Sequence, residues 1–572
     1  MTARATPSQL AVALLIAAFL VIFLVVPVLT VVYVAFADGA GGVTLSHFAS
    51  FFHISLMRES FWNSLYVAFW SVVFASLIAV PLAYFTVRFE FRGAVLIQTL
   101  GVLPLIMPPF VGAVAMQLIF GRSGTVNLLL NDWFDISLPI MEGLNGVIFV
   151  EAIHYFPFIL MNLVVALNNI DSSMEESAQN LGSSGLRLFR RIVFPLAMPG
   201  FIAGAALVFI KVFDDLGTPL VLNQTNMLAP QAYLRITTIG IEDPIGYVAS
   251  VIMVVFSLMA LWASTWVMRD KEYATLQRGY GGLARRRLTG AHSALAYAWI
   301  VLVLLVVLAP HVGILLLSMA RVWSFSVVPE SYTLEHYATV FQDSPGMIWN
   351  TLLYCGVAAV LDVVIATAIA YILLRTRIPG RKALDFTVTM ALAIPGVVLA
   401  IGYLRTFRDI EIPFTGDLLT TSWMLLIIAY AVRRLPYALR SCVAALQQMH
   451  VSLEEAAENL GATKGRTIRR IVVPLMAGGI AAGLIISFMT AAVELSATLM
   501  LVTAQHDAPM SYGIYLYMQS AAGRGPGAAL GVLAVLIVAA GTYLSHRVIA
   551  SRAAREKRDA IITAPEIQTA GA

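Results

Sequence analysis

The feature that most restricts the fold is a series of apolar runs, each about 20 residues or longer, that recurs along the whole chain. A run of that length forms a helix that crosses the hydrocarbon core of a membrane, which is about 30 Å thick. Of the 572 residues, 59% are hydrophobic and only 12% are charged, whereas about a quarter is typical of soluble proteins. The chain is therefore predicted to be an all-α, multi-pass membrane protein with the lipid bilayer as a partner.

The apolar runs and the polar interruptions between them predict twelve spans. These lie near 10–36, 62–87, 94–120, 144–169, 196–220, 245–268, 293–320, 347–374, 381–403, 422–447, 475–502 and 527–547. The first run is longer than the apolar core of a signal peptide, about 7–15 residues, so we expect it to remain in the protein. Cys355 and Cys442 both fall inside spans and indicate neither a disulfide framework nor a metal site.

Lysine and arginine concentrate in alternate connections, which predicts the orientation of the chain. An excess of these residues marks the cytoplasmic side of a membrane protein. They occur after the second and fourth span of each set of six, in the centre of the chain and in its tail, while the other connections hold mostly Asp, Glu, Gly and Pro. With twelve spans, both termini are therefore predicted to be cytoplasmic.

Two polar segments repeat each other at an offset of 279 residues. EESAQNLGSSGLRLFRRIVFPL begins at Glu175, and EEAAENLGATKGRTIRRIVVPL begins at Glu454. The repeat extends upstream, where WNSLY at Trp62 corresponds to WNTLL at Trp349 at an offset of 287 residues. Such a duplication predicts two homologous six-helix halves in one orientation, related by a pseudo-twofold axis along the membrane normal, with a pathway between them. The predicted parts are a first half (1–268), a basic cytoplasmic linker (269–292), a second half (293–550) and a cytoplasmic tail (551–572).

Each repeated segment is predicted to fold as a short helix, a bend and a second short helix. Ser173 with Glu176, and Ser452 with Glu455, fit the capping box S-x-x-E. In this motif the serine side chain accepts from the backbone N–H of the glutamate, and the glutamate side chain accepts from the backbone N–H of the serine. The first helix is expected to end or bend at a glycine six residues after each glutamate, since glycine adopts left-handed conformations at low cost. An amphipathic loop on anionic lipid is the alternative, but such a loop does not require the spacing that both copies share.

The spacing of the second copy, E-A-A, three residues, Gly, nine residues and Ile-x-x-Pro, resembles the EAA loop of bacterial ABC importer permeases. The first copy departs from it at Ser177, where alanine is usual, and Phe194 and Val473 replace the leucine before the proline. Spans, repeat and loops all fit, so the resemblance covers essentially the whole chain. A permease with both halves fused is similar to the ferric-iron permease family, which has relatives for thiamine and 2-aminoethylphosphonate.

The resemblance implies the transmembrane subunit of a type I ABC importer in the bacterial inner membrane. In that family the loop is a coupling helix that docks on a cytoplasmic ATPase, so two loops imply two ATPase copies, and a periplasmic binding protein delivers the solute. ATP and Mg²⁺ are then bound by the partners; no cofactor on this chain and no nucleic-acid partner are expected. The residues expected to couple the permease to the ATPase are Ser173, Glu176, Ala178, Gly182, Pro195, Ser452, Glu455, Ala456, Ala457, Gly461 and Pro474.

The chain itself is predicted not to be an enzyme. The sequence GATKGRT at Gly461 has a weak likeness to a phosphate loop. The motif requires four residues between its glycines and a lysine after the second one. Here three residues separate the glycines and Arg466 stands in place of the lysine, so ATP is expected to be hydrolysed by a partner.

Four ionisable residues within spans are candidates for the transport pathway, because such groups are costly at membrane depth. Asp215 and Glu494 occupy equivalent places in the fifth spans, where they would attract a cationic cargo or a gate element; local pairing of Asp215 with Lys211, or capping of the outer end of the span, is the alternative. Glu151 and His154 lie within one turn of the fourth span and are better explained by polar helix ends or pairing in the bundle. No metal site is predicted from this single pair.

Kinks are expected at Pro108 and Pro395, which fall in matching third spans. The cargo stays open at this point: ferric iron is favoured by the resemblance and the carboxylate pair, with 2-aminoethylphosphonate, thiamine or a polyamine as alternatives. An ion-coupled secondary transporter and a membrane protein that only recruits ATPases are the rival classes. Secondary transporters lack duplicated coupling loops.

Overall fold

The computed structural model describes residues 6–39, 41–90, 93–269, 287, 290–413, 415–520, 522–541 and 543. Most of the predicted linker and the whole predicted tail lie outside these residues. The regular secondary structure of the described part is helical apart from a short antiparallel hairpin formed by β1 (Ala320–Val322) and β2 (Ser331–Tyr332) and two isolated bridges. The all-α prediction is confirmed.

The helices of the first half follow the predicted order. They are α1 (Pro7–Leu20), α2 (Val26–Phe36), α3 (Ser46–His53), α4 (Ser55–Arg88), α5 (Ala94–Val102), α6 (Pro109–Phe120), α7 (Thr125–Phe134), α8 (Gly143–Asn168), α9 (Ser172–Asn180), α10 (Gly185–Leu188), α11 (Phe194–Asp214), α12 (Gly217–Val221), α13 (Leu228–Leu234) and α14 (Pro244–Arg269). A π-helical turn at Val21–Val25 joins α1 to α2 as one span.

The second half follows the same order, with the hairpin inserted after its first helix and with no α-helix at the place of α7 among its described residues. Its helices are α15 (Gly290–Met319), α16 (Glu335–Asp343), α17 (Pro345–Arg375), α18 (Arg381–Met390), α19 (Gly396–Thr406), α20 (Trp423–Gln448), α21 (Ser452–Asn459), α22 (Lys464–Thr467), α23 (Val473–Leu475), α24 (Ala477–Ala492), α25 (Ser496–Leu501), α26 (Met510–Met518) and α27 (Arg524–Gly541).

The twelve predicted spans all fall on helices, but several are broken. Among the described residues, nine helices are long and apolar enough to cross a membrane, or ten if one pair bent by 69° counts as a span. The third predicted span of each half is interrupted before α6 and α19, and the residues at these breaks are Pro108 and Pro395. Proline has no N–H to donate and disfavours helical geometry in the residue before it. The predicted kinks are therefore confirmed, as complete breaks.

The first span of each half packs against the other half. Helix α2 lies along α19, and α15 lies along α6. The hydroxyl of Tyr403 on α19 donates to the carbonyl oxygen of Phe23 at 2.6 Å, and the hydroxyls of Thr406 and Thr30 are 3.0 Å apart. This exchange interlocks the halves, so a movement of one half must carry the first span of the other.

A larger residue at Gly402 tests this interlocked packing. A Cβ atom placed there would lie 2.6 Å from the backbone oxygen of Pro27, whereas a Cβ at Gly356 of α17 meets nothing within 4 Å. We expect Gly402→Val to destabilise the protein by about 1–3 kcal/mol, the usual cost of overpacking. Gly356→Val, a matched helical change, leaves the unfolding temperature in detergent near the wild-type value. Equal unfolding temperatures for the two variants would contradict the packing of α2 on α19.

Candidate functional site

The first repeated segment, Glu175–Leu196, bends at the predicted glycine. Helix α9 ends at Asn180, and Gly182 has a φ of +82°. Its N–H donates to the carbonyl oxygen of Gln179 at 2.8 Å, and the N–H of Ser183 donates to that of Ala178 at 2.9 Å. These two bonds form a Schellman motif, which satisfies carbonyls at the helix end.

The second repeated segment, Glu454–Leu475, forms the same motif. Gly461 has a φ of +83° after α21. Its N–H donates to the backbone carbonyl oxygen of Glu458 at 3.0 Å, and the N–H of Ala462 donates to the backbone carbonyl oxygen of Ala457 at 3.0 Å. The predicted helix, glycine bend and second helix are thus confirmed in both copies.

The second helix of each segment leads directly into the bundle. Helices α10 and α22 continue through π-helical turns, at Phe189–Val193 and Ile468–Val472, that carry the paired arginines. Pro195 and Pro474 lie in the first turn of the helices that follow. Because proline has no N–H to donate, it removes one backbone bond from this continuous helical stretch, directly after the wider π-helical turn.

The predicted capping boxes are wrong. Helix α9 is capped by Asp171, whose carboxylate accepts from the N–H of Ser173 at 2.9 Å; this bond lowers the pKa of Asp171. Helix α21 starts at Ser452, which bonds to the ring of His450 at 2.8 Å, and Val451 before it provides no side-chain cap. Each serine lies inside the first turn rather than before it, so its hydroxyl does not serve as the cap.

The capping role assigned to Glu176 and Glu455 fails with the boxes, because the helices are capped at Asp171 and Val451; both glutamate side chains are exposed to solvent. The opposite face of each helix is covered, at Ala178 and Ala457, which are each 8% exposed. Each short helix therefore presents one face to the bundle and one face outward.

The glutamates that contact the bundle are Glu175 and Glu454, each one residue earlier in the chain, and the sequence did not single them out. Glu175 pairs with Arg88 at the end of α4, and Glu454 pairs with Arg375 at the end of α17, at 2.6 Å. The signal was present in the repeat, since the two glutamates are 279 residues apart and the two arginines 287 apart, matching the offsets of their surroundings.

A second set of charged residues is buried between the two halves. Arg433 of α20 donates to the carboxylate of Asp214 at 2.5 Å and to that of Glu494 at 2.6 Å. Asp214 belongs to the first half and also accepts from the backbone N–H of Gly396 at 2.6 Å. Arg433 and Glu494 are 5% and 4% exposed. A side chain at Gly396 would collide with the guanidinium of Arg433, so the absence of a Cβ permits this contact.

The acidic residues predicted from the repeat occupy equivalent positions as helix caps. Asp215 accepts from the N–H groups of Gly217 and Thr218, both at 3.1 Å, at the start of α12. Glu494 accepts from the N–H of Ala497 at 3.0 Å, at the start of α25. Both acids therefore cap the short helix that follows the fifth span, rather than the outer end of the span itself. Asp215 does not reach across to Glu494; its neighbour in sequence makes the contact between halves.

The fourth span of the first half holds an uncompensated acid. Glu151 is fully buried, and neither of its oxygens has a hydrogen-bond partner among the described residues. The carboxyl group of Asp215 faces it, with the buried hydroxyl of Thr218 beside them. His154 does not join this group; its ring packs edge-on against Tyr155, with centroids 4.7 Å apart. Nowhere in the described ranges do three side chains suited to a metal cluster together.

The second half differs at the corresponding position. Tyr430 takes the place of Glu151 and bonds to the hydroxyl of Thr498 at 2.7 Å. There Glu494 is neutralised by Arg433 and lies 3.5 Å from Arg434. At this position the first half therefore carries a buried acid, and the second half carries a tyrosine beside an ion cluster that also includes Asp214 of the first half.

The family model for "Binding-protein-dependent transport system inner membrane component" matches the chain twice, over residues 71–272 and 362–555. The chain belongs to this family. The two matches correspond to the two halves, so the duplication found in the sequence is a duplication of the family domain. As a member of the family, the chain is a multi-pass inner membrane protein.

Relatives of this inner membrane component include proteins described as ferric permeases. The ferric transport system permease protein FbpB of Actinobacillus pleuropneumoniae is 29% identical over 79% of this chain and 65% of its own length. The putative ferric transport system permease protein FbpB 1 of Haemophilus influenzae is 28% identical over 77% of this chain and 70% of its own length. The chain thus spans about two thirds of these relatives. The molybdenum transport system permease protein ModB of Haemophilus influenzae is 29% identical over 36% of this chain and 92% of its own length.

Proposed function

We propose that the chain is the transmembrane subunit of an ABC importer and that α9 and α21 each dock on one ATPase subunit. The observation that carries this proposal is the pair of helices that end in the same glycine-bent motif at equivalent positions. Beyond their buried faces, Leu181 and Leu460 stand 89% and 90% exposed immediately before the glycines. Large apolar side chains at one place on two equivalent surfaces fit a protein partner.

In this proposal a periplasmic binding protein delivers the solute to the outer side, and two ATPase subunits bind and hydrolyse ATP inside. Both termini lie in the cytoplasm, on the side of the repeated segments. Closure of the ATPases moves the two coupling helices, and the interlocked first spans make the halves move together. The halves then alternate between outward- and inward-facing arrangements around the charged interface.

The cargo that we propose is ferric iron. Two relatives are described as ferric permeases, and the carboxyl group of Asp215 lies beside that of Glu151. Carboxylates are hard oxygen ligands suited to hard cations. A cation that passes between them would relieve the cost of burying Glu151 beside a second carboxyl group, whereas an anionic phosphonate would increase it. Two carboxylates form a weaker site than a resident metal centre, as transport requires.

The proposal is tested by reconstituting the chain in liposomes with its ATPase and binding protein. We expect ATP-dependent uptake of ferric ion that is insensitive to ionophores, and a binding protein that takes up ferric ion in calorimetry. Uptake of 2-aminoethylphosphonate, thiamine or spermidine instead would correct the cargo. Uptake that ionophores abolish while ATP is present would point to a secondary transporter, and ATPase recruitment without solute flux to a regulatory protein.

The acids of the first half give a separate test of the pathway. We expect Glu151→Gln combined with Asp215→Asn to lower ferric uptake by about tenfold or more, since the barrier loses its charge stabilisation. Stability should stay level or rise, because a buried acid without a partner is removed. Glu242→Gln, at a side chain 66% exposed, is the control. Uptake that matches the control at unchanged stability would remove both acids from the pathway.

A further inference from the structure

Arg375 connects three helices at the cytoplasmic end of the second half. It is the last residue of α17, and its Nε donates to Glu454 of α21 at 2.6 Å. The same guanidinium donates to the carbonyl oxygens of Met449 at 2.9 Å and Leu446 at 3.3 Å, at the end of α20. The hydroxyl of Tyr371 donates to the second oxygen of Glu454 at 3.3 Å.

The first half holds the corresponding pair. Arg88 is the last residue of α4 and pairs with Glu175 of α9. These two side chains are 6% and 14% exposed, and those of Arg375 and Glu454 are 12% and 8% exposed. Pairs this well shielded interact strongly, unlike ion pairs on a solvated surface.

The ion pairs join the short helices to the bundle. The main backbone packing of α9 and α21 is with the segments that follow them in the same loop. Helix α4 packs along α8, which carries Glu151, and α17 packs along α20, which carries Arg433. A displacement of either short helix is thus passed through an ion pair to α4 or α17, and from there to the packed helix that carries Glu151 or Arg433.

We propose that Arg88 and Arg375 are positioning residues that transmit the movement of the docked ATPases to the transmembrane helices. This inference rests on the proposed function, in which α9 and α21 are the coupling helices. The side chains of both pairs are largely buried, whereas Leu181 and Leu460 are exposed, so the pairs hold the helices without taking part in docking. Breaking them should leave the ATPases bound and disconnect ATP hydrolysis from transport.

Charge reversal provides the test, in liposomes that contain the ATPase and the binding protein. We expect Arg375→Glu and Glu454→Arg, each alone, to lower uptake per ATP hydrolysed by about tenfold or more. The ATPase should still co-purify with both variants. The double reversal should recover a large part of the uptake, though not all, because Arg375 also binds two backbone carbonyls. The pair Arg88→Glu with Glu175→Arg repeats the design in the other half.

Arg440→Glu is the matched control, since Arg440 forms a 3.1 Å pair with Asp385 on the same side but is 51% exposed. It should leave the ratio of uptake to hydrolysis unchanged. Normal ratios in the single reversals, loss of ATPase binding, or a double reversal no better than the singles would overturn the inference. Failure of the proposed function is distinguishable, because the wild-type chain would then bind no ATPase or show no ATP-driven uptake.

Discussion

Replacing Gly182 and Gly461 together with valine is expected to abolish ATP-driven uptake, while the protein still inserts in the membrane. Both glycines have φ values above +80°. A residue with a Cβ pays about 1–2 kcal/mol for this conformation, and a β-branched one pays more. A Cβ at either position meets nothing within 4 Å, so the cost comes from the backbone rather than from crowding. The Schellman motifs would open and the exposed leucines would leave their positions.

Two controls separate backbone conformation from other effects of the change. Gly465 also has nothing within 4 Å of an added Cβ, and its φ is not positive, so Gly465→Val should keep full uptake. Asparagine tolerates left-handed conformations better than other side chains, so Gly182→Asn with Gly461→Asn should keep a large part of the activity. ATPase co-purification and uptake in liposomes are the measurements. A double valine variant that binds the ATPases and transports normally would show that α9 and α21 are not coupling helices.

The sequence predicted those features that depend on local chemistry. Apolar runs located the spans, and the breaks at Pro108 and Pro395 follow from what proline does to a helix. The glycine bends follow from the same kind of argument. The capping boxes failed for a local reason too: α9 is capped by Asp171, two residues before Ser173, and the cap position of α21 is Val451, one residue before Ser452. A shift of one or two residues changes which side chain is the cap.

Contacts between the halves were not predictable in this way. Asp214 and Arg433 are 219 positions apart, and nothing near either residue identifies its partner. The repeat aligned Glu494 with Asp215 and thereby directed attention to a residue that caps its own helix. A repeat shows where the two halves correspond, but function also depends on where they differ, as at Glu151 and Tyr430.

Removing the charge of Arg433 is expected to give the largest loss of stability in the chain. In Arg433→Met, Asp214 and Glu494 remain buried without the cation that lies between them. Breaking a buried pair by deleting one partner costs about 3–5 kcal/mol, because the remaining charge is uncompensated. The unfolding temperature in detergent should fall well below that of Arg440→Met, which removes an exposed arginine from the same helix.

Second-site changes should show which acid is left without compensation. Arg434 remains 3.5 Å from Glu494, so Asp214 is the carboxylate that loses most when Arg433 is removed. We therefore expect Asp214→Asn to restore much of the stability of Arg433→Met, because the amide oxygen can still accept from the N–H of Gly396. Glu494→Gln should restore less, since it also leaves Arg434 without its carboxylate. Equal rescue by the two changes, or none, would contradict the idea that Arg433 joins the halves chiefly through Asp214.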